Sequence, residues 1–201
     1  MNAAPMKLGP HHAALLVVDV QKGFFVHDER SGPRSNPQGI DNVAQLIAAF
    51  RAARVPVVHI RHDSIEPNSP FRPELPGNAV MDEAREIDGE PVLRKTVNSA
   101  FIGTDLEQRL RSAGIDTVVI CGATANHCVE TTARMADNLG FAVVLAGDAV
   151  WAYGQTGPDG VRHSAQSVHA MTLANIAGEF GRVATASDII AALVAPATIG
   201  A

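Results

Sequence analysis

The chain has 201 residues, of which 46% are hydrophobic and 18% charged, the balance of one ordinary folded domain and not of a disordered chain. Its net charge is −5, and no run of lysine or arginine forms a basic stripe, so nucleic acid is excluded as the expected partner. The two cysteines are too few for a disulfide framework, and their spacing matches neither a C-x-x-C redox pair nor a zinc knuckle.

Residues 1–12, "MNAAPMKLGPHH", hold no apolar core of signal-peptide length and read as a flexible terminus within a single domain spanning 1–201. No segment approaches the ~20 apolar residues of a membrane span, so the expectation is a cytoplasmic protein without a membrane partner. Continuous apolar runs follow at 13–20, 55–60, 115–122 and 141–148, the pattern of strands buried on both faces. Between them, 40–55, 103–114 and 127–140 carry apolar residues at helical spacing, and the last two end at Gly114 and Gly140. A further helix is expected over 161–180, then an edge strand near 181–186 and a terminal helix over 187–195.

Strand and helix in alternation imply crossover connections. The fold class is therefore α/β, an open, doubly wound, mainly parallel sheet of about six strands with helices on both faces. The stretch 61–90, with four prolines between 67 and 76, reads as a long ordered loop of the kind that forms lids or subunit contacts.

In such sheets ligands bind at the carboxyl ends of the strands. Asp19 ends the first run, and "CGATANHCVETTARMADNLG" places Cys128 where a helix begins after a small-residue turn. A carboxylate beside a thiol can take its proton, and a nearby ammonium or a helix N-terminus favours the thiolate. Arg94 and Lys95 are both candidates for that cation, and spacing alone does not choose between them. Taken singly, each residue has an ordinary reading: Asp19 as a turn cap, Lys95 as a solvated charge, Cys121 as core.

The motifs "LLVVDVQKGFF", "RKTVNSAFIGTDLEQRL" and "VVICGATANHCVETTARMADNLGF" run in one order from Ala13 to about Asp148. In them the chain resembles the isochorismatase-like cysteine hydrolase superfamily, which includes nicotinamidase and N-carbamoylsarcosine amidohydrolase. The resemblance implies Asp19 as base, Lys95 as cation and Cys128 as nucleophile. It also implies a cis Ala123–Thr124 peptide and an oxyanion hole built from the backbone amides of Thr124 and Cys128. The expected activity is hydrolysis of a C–N bond, amide or ureido, in a small molecule through a Cys128 thioester. The alternative is a non-hydrolytic ligand-binding or redox-responsive protein that uses an activated Cys128 thiolate. The family resemblance further implies a homodimer or larger homo-oligomer, with 61–90 as a candidate contact.

Metal-binding relatives carry an Asp-x-His pair after the second strand, where this chain has His62, Asp63 and Ser64. The expectation is therefore no metal and no cofactor. His62 and His127 are expected near the substrate, and Phe24 and Trp151, placed on loops after strands, are candidate contacts. His163 and His169 fall on the helix expected over 161–180. The strand-to-helix turn "DVQKGFF" lacks G-x-G-x-x-G, which argues against dinucleotide binding.

Overall fold

The structure, a computed structural model, describes Met6 and residues 8–194. Its strands are β1 (Ala13–Val18), β2 (Val57–His62), β3 (Val92–Lys95), β4 (Thr117–Ala123), β5 (Ala142–Trp151), β6 (Gln155–Thr156), β7 (Arg162–His163) and β8 (Arg182–Ala184). Six of them form one sheet in the order β3-β2-β1-β4-β5-β8, every neighbour parallel, while β6 and β7 pair as a small antiparallel ribbon. The chain builds outward from β1 through β2 to β3, then crosses back to place β4 on the other side of β1. That reversal opens a crevice at the carboxyl ends of β1 and β4.

The helices are α1 (Gly23–Ser31), α2 (Gly39–Ala52), α3 (Leu106–Ser112), α4 (Glu130–Asn138), α5 (Ala165–Ile176) and α6 (Ala186–Val194). All six residues of β1 are buried, and they alternate between two cores. Ala13, Leu15 and Val17 meet Val43, Leu46, Ile47 and Phe50 of α2 and Ile189 of α6 on one face. Ala14, Leu16 and Val18 meet Leu106 and Leu110 of α3 and Ala133 and Ala136 of α4 on the other. A strand covered on both faces has no polar side to show, which is why its sequence reads as an unbroken apolar run.

Several elements differ from the sequence expectation, among them β3, β6 and β7, which lie outside the runs read as strands. Helix α1 was not anticipated: its first turn has no side-chain cap at Lys22, and only Gly23 and Phe24 are buried, so it carries little amphipathic signal. Strand β5 continues past Asp148 to Trp151, interrupted by an irregularity in its pairing with β4, and the Asp148 carbonyl accepts bonds from the side-chain amides of Asn36 and Asn42. The helix expected from 161 starts only at Ala165, capped by Ser164, whose Oγ accepts from the Ser167 N–H, and the two residues of β7 precede it.

The stretch after β2 is ordered by short 3-10 turns at Pro76–Asn78 and Asp82–Ala84, and it buries Phe71, Met81 and Ala84. Residues 9–13 form a turn, with His12 and Ala13 N–H donating to the Gly9 carbonyl, and the His12 carbonyl accepts from Asp116 and Thr117 at the start of β4. The earlier part of the expected flexible terminus and Ala195 of the expected last helix lie outside the described residues. Among the described residues no helix is long and apolar enough to cross a membrane.

Candidate active site

Asp19 follows β1 in a turn with φ of 52°, donating its own N–H to the Ile60 carbonyl and accepting Gln21 N–H. Beside it β4 passes so close that a Cβ on Gly122 would lie 2.0 Å from the Val18 carbonyl oxygen, and Gly122 has φ of 112°. Only glycine serves there. The Ala123–Thr124 peptide is cis, and one π-helical turn, Ala125–Val129, then leads into α4 and carries Cys128. The Glu130 N–H reaches back to the Ala125 carbonyl across that wide turn.

Lys95, the last residue of β3, pairs in register with His62 of β2 and sends its ammonium toward the end of β1. Its Nζ lies 2.6 Å from Asp19 Oδ2, 3.3 Å from Cys128 Sγ and 3.4 Å from His62 Nδ1. An ammonium has three protons to donate, and here each has an acceptor. The side chains of Lys95 and Asp19 are 0% and 3% exposed, so the pair is shielded from water. Asp19 Oδ1 is buried and has no hydrogen-bond partner among the described residues, which leaves one carboxylate oxygen open as an acceptor.

Burial pushes the Cys128 thiol well above its ordinary pKa; the Asp19 charge pushes the same way and Lys95 against it. The sequence expectation that the ammonium and the helix start would favour a resting thiolate is thus opposed by desolvation. Desolvation favours the thiol form, with the Asp19 carboxylate nearby. His62 is lowered by burial and then by the Lys95 charge, which favours the neutral ring, and its Nδ1 accepts from Lys95. Gln21 fixes His62 from behind, accepting its N–H and donating to its carbonyl.

Cys128 opens onto a cavity of about 490 Å³ also lined by Asp19, His62, Thr124 and His127. The lining also holds a cluster of rings: Phe24 lies 4.8 Å from Phe71 and 6.2 Å from Tyr153, and His27 lies 5.7 Å from both Phe71 and Tyr153. Asn98 and Gln155 complete the polar rim, where Gln155 bonds His127 Nε2 and Thr124 Oγ1 bonds His127 Nδ1. Phe24 sits on α1, not on a loop. Trp151 ends β5, fully buried behind Phe24 at 5.7 Å, outside the cavity lining. Arg94 is exposed and bonds Asp63. Cys121 is buried within β4. His163 lies on β7, and His169 on α5 bonds the Gly147 carbonyl.

His27, Phe71, Asn98, Tyr153 and Gln155 were not singled out as site residues. They come from four separate segments, and the one available signal was that Tyr153 lies in the turn-rich stretch after a strand. Asp19, His62 and Cys128 bring their ligand atoms within 4.8 Å of one another, the geometry of a metal cluster. The Lys95 ammonium lies within 3.4 Å of an atom of each, so a divalent cation there would meet a fixed positive charge. Asp63 is held by Arg94 and Asn78, and Ser64 Oγ accepts Glu66 N–H. These residues do not fit a metal.

A fold wound about β1 and a thiol, carboxylate and ammonium at its switch point define an α/β protein of the isochorismatase family, and the chain belongs to that family: residues 13–188 match the isochorismatase domain. It is similar to an isochorismatase-family structure from Chromobacterium violaceum, at 46% identity and a TM-score of 0.89 over 95% of this chain and 98% of that one. It is 39% identical to the uncharacterised isochorismatase family protein YrdC of Bacillus subtilis over 88% of this chain and 94% of the relative. It is also 30% identical to the ureidoacrylate amidohydrolase RutB of Agrobacterium fabrum over 92% of this chain and 91% of the relative. The family is one of hydrolases.

Proposed function

We propose that the protein is a metal-independent cysteine amidohydrolase that cleaves the C–N bond of a small amide or ureido compound. The observation that carries the reading is the convergence of Asp19 and Cys128, which line the cavity, on the buried Lys95, with Asp19 Oδ1 unpaired. Asp19 takes the Cys128 proton as the sulfur attacks the carbonyl carbon, and the resulting oxyanion is received by the backbone amides of Thr124 and Cys128. Each such donor is worth about 3–4 kcal/mol in the transition state. The C–N bond breaks, Asp19 returns the proton to the leaving nitrogen, and Cys128 holds the acyl group as a thioester. Water then attacks, giving a proton to Asp19, which returns it to the departing Cys128 sulfur, and the acyl group leaves as a carboxylic acid, or as a carbamic acid where a carbamoyl group was transferred.

Lys95 holds Asp19 in place beside the thiol before the transfer and steadies the thiolate charge during it. Burial of Cys128 disfavours a resting thiolate. It weighs against the alternative of a redox-responsive protein, since oxidation follows thiolate character. The test is ammonia release across a panel of small amides and ureides. Wild type is expected to turn over at least one compound and Cys128→Ala none; turnover that survives in Cys128→Ala would overturn the reading.

The same reading includes a homo-oligomer, supported by the exposed Ile65, Leu75 and Ile87 on the stretch 61–90. Sedimentation of the purified chain at a monomer mass would overturn that part.

A further inference from the structure

Beyond the reaction, the cavity wall bears on what the substrate carries besides its amide. Three rings, Phe24, Phe71 and Tyr153, line one side, and the His27 ring lies nearly parallel to Phe71, at 23°. The polar end of Tyr153 is turned away from the cavity: its hydroxyl donates to Asp28 Oδ1 at 2.8 Å, and Asp28 is in turn held by Arg34. What Tyr153 offers a ligand is therefore its ring. His27 is held below its ordinary pKa by burial and then by Arg30, and His62 and His127 are lowered by burial too, so all three rings that border the cavity are biased toward the neutral form.

Among the described residues lining the cavity none is lysine or arginine. Lys95 lies beneath it, fully buried, with each of its protons committed. Arg30 lines a separate, adjoining space of about 300 Å³ together with Glu66, a charge of the opposite sign. A carboxylate on the substrate body would thus give up its water beside three neutral rings and the Asp19 charge, without a cation to receive it, which is a costly burial. A planar apolar group would meet ring faces, where aromatic pairs are worth about 0.5–1.5 kcal/mol beyond area burial.

We propose that the cavity selects an uncharged amide bearing a planar, aromatic body, and that Phe24, His27, Phe71 and Tyr153 set this specificity against anionic amides of the same shape. The proposal rests on the hydrolase reading for the orientation of the amide toward Cys128, but its test does not need turnover. The probes are 4-acetylbenzamide and 4-carbamoylbenzoate, which share shape and differ in charge. Their binding to Cys128→Ala, which cannot acylate, is measured by calorimetry at pH 7.5.

The neutral probe is expected to bind at least tenfold tighter. In the double variant Cys128→Ala with His27→Lys, which puts an ammonium on the wall, that ratio is expected to shrink at least threefold through tighter binding of the carboxylate. Equal or tighter binding of the carboxylate to Cys128→Ala overturns the proposal, and so does the absence of binding by the neutral probe. Ammonia release from 4-acetylbenzamide by wild type is measured beside it: binding without release counts against the hydrolase reading and leaves the selectivity standing, whereas release with no preference between the probes does the reverse.

Discussion

Asp19 and Glu90 are both largely buried carboxylates that face cations from neighbouring elements, and they differ in how much of each is left over. Glu90, just before β3, accepts Arg51 at both oxygens, each at 2.7 Å, together with His59 Nε2 at 2.8 Å and the Ile87 N–H. Burial alone would raise its pKa, but those donors outweigh it and hold the group at about 2. Asp19 has one oxygen against Lys95 and the other with no partner, open toward a thiol and a cavity. A carboxylate with both oxygens engaged holds elements together. One with a lone pair withheld can accept a proton, and a buried polar atom left unpaired in this way is a sign of chemistry.

The contrast is broken most severely at the nucleophile. Cys128→Ala is expected to lower kcat by at least about 10⁴-fold, the scale of nucleophile loss in catalytic units that act together, measured as ammonia release. Asp19→Asn keeps the shape and removes the base, with an expected loss of about 10³-fold. A value within tenfold of wild type would remove Asp19 from the mechanism. Lys95→Ala leaves the Asp19 charge buried without its cation, and about 3–5 kcal/mol of stability is expected to go with it, read as the shift in urea midpoint.

Glu90→Gln sharpens the comparison from the other side. It is expected to cost about 2 kcal/mol, the scale of hydrogen bonds to charged groups, while kcat stays within twofold. Loss of activity at unchanged stability would erase the distinction between the two carboxylates. The smallest effect is on the pH axis. Because the Glu90 pKa is depressed on folding from an ordinary 4.5 to about 2, its contribution is fully present above pH 4.5 and is lost as the pH falls toward 2. Urea midpoints of wild type should fall over that window more steeply than those of Glu90→Gln.

Much of this was legible in the residues. The apolar runs gave the sheet because strands covered on both faces admit little else, and the position of Asp19 and Cys128 at strand ends pointed to the switch point. Lys95 could not be separated from Arg94 by spacing; β3 separates them, since neighbouring residues on a strand face opposite sides, leaving Arg94 exposed and Lys95 buried. Of the aromatic wall, only Phe24 was legible. The wall is assembled by α1, the loop after β2 that carries Phe71 and the segment beyond β5, and none of these announces itself by periodicity. Trp151, the most conspicuous aromatic in the sequence, is buried under that wall, and Tyr153 two residues on forms part of it.

The central claim is that Cys128 carries the acyl group. Its most direct test is intact-protein mass spectrometry of wild type quenched in acid during turnover of an amide, followed by peptide mapping, with the buried Cys121 as internal control. The account predicts one added acyl mass located on Cys128 and absent from Cys128→Ala. Turnover of the same amide with no adduct at Cys128 under quench conditions that preserve a thioester standard, or an adduct on another residue, would contradict it.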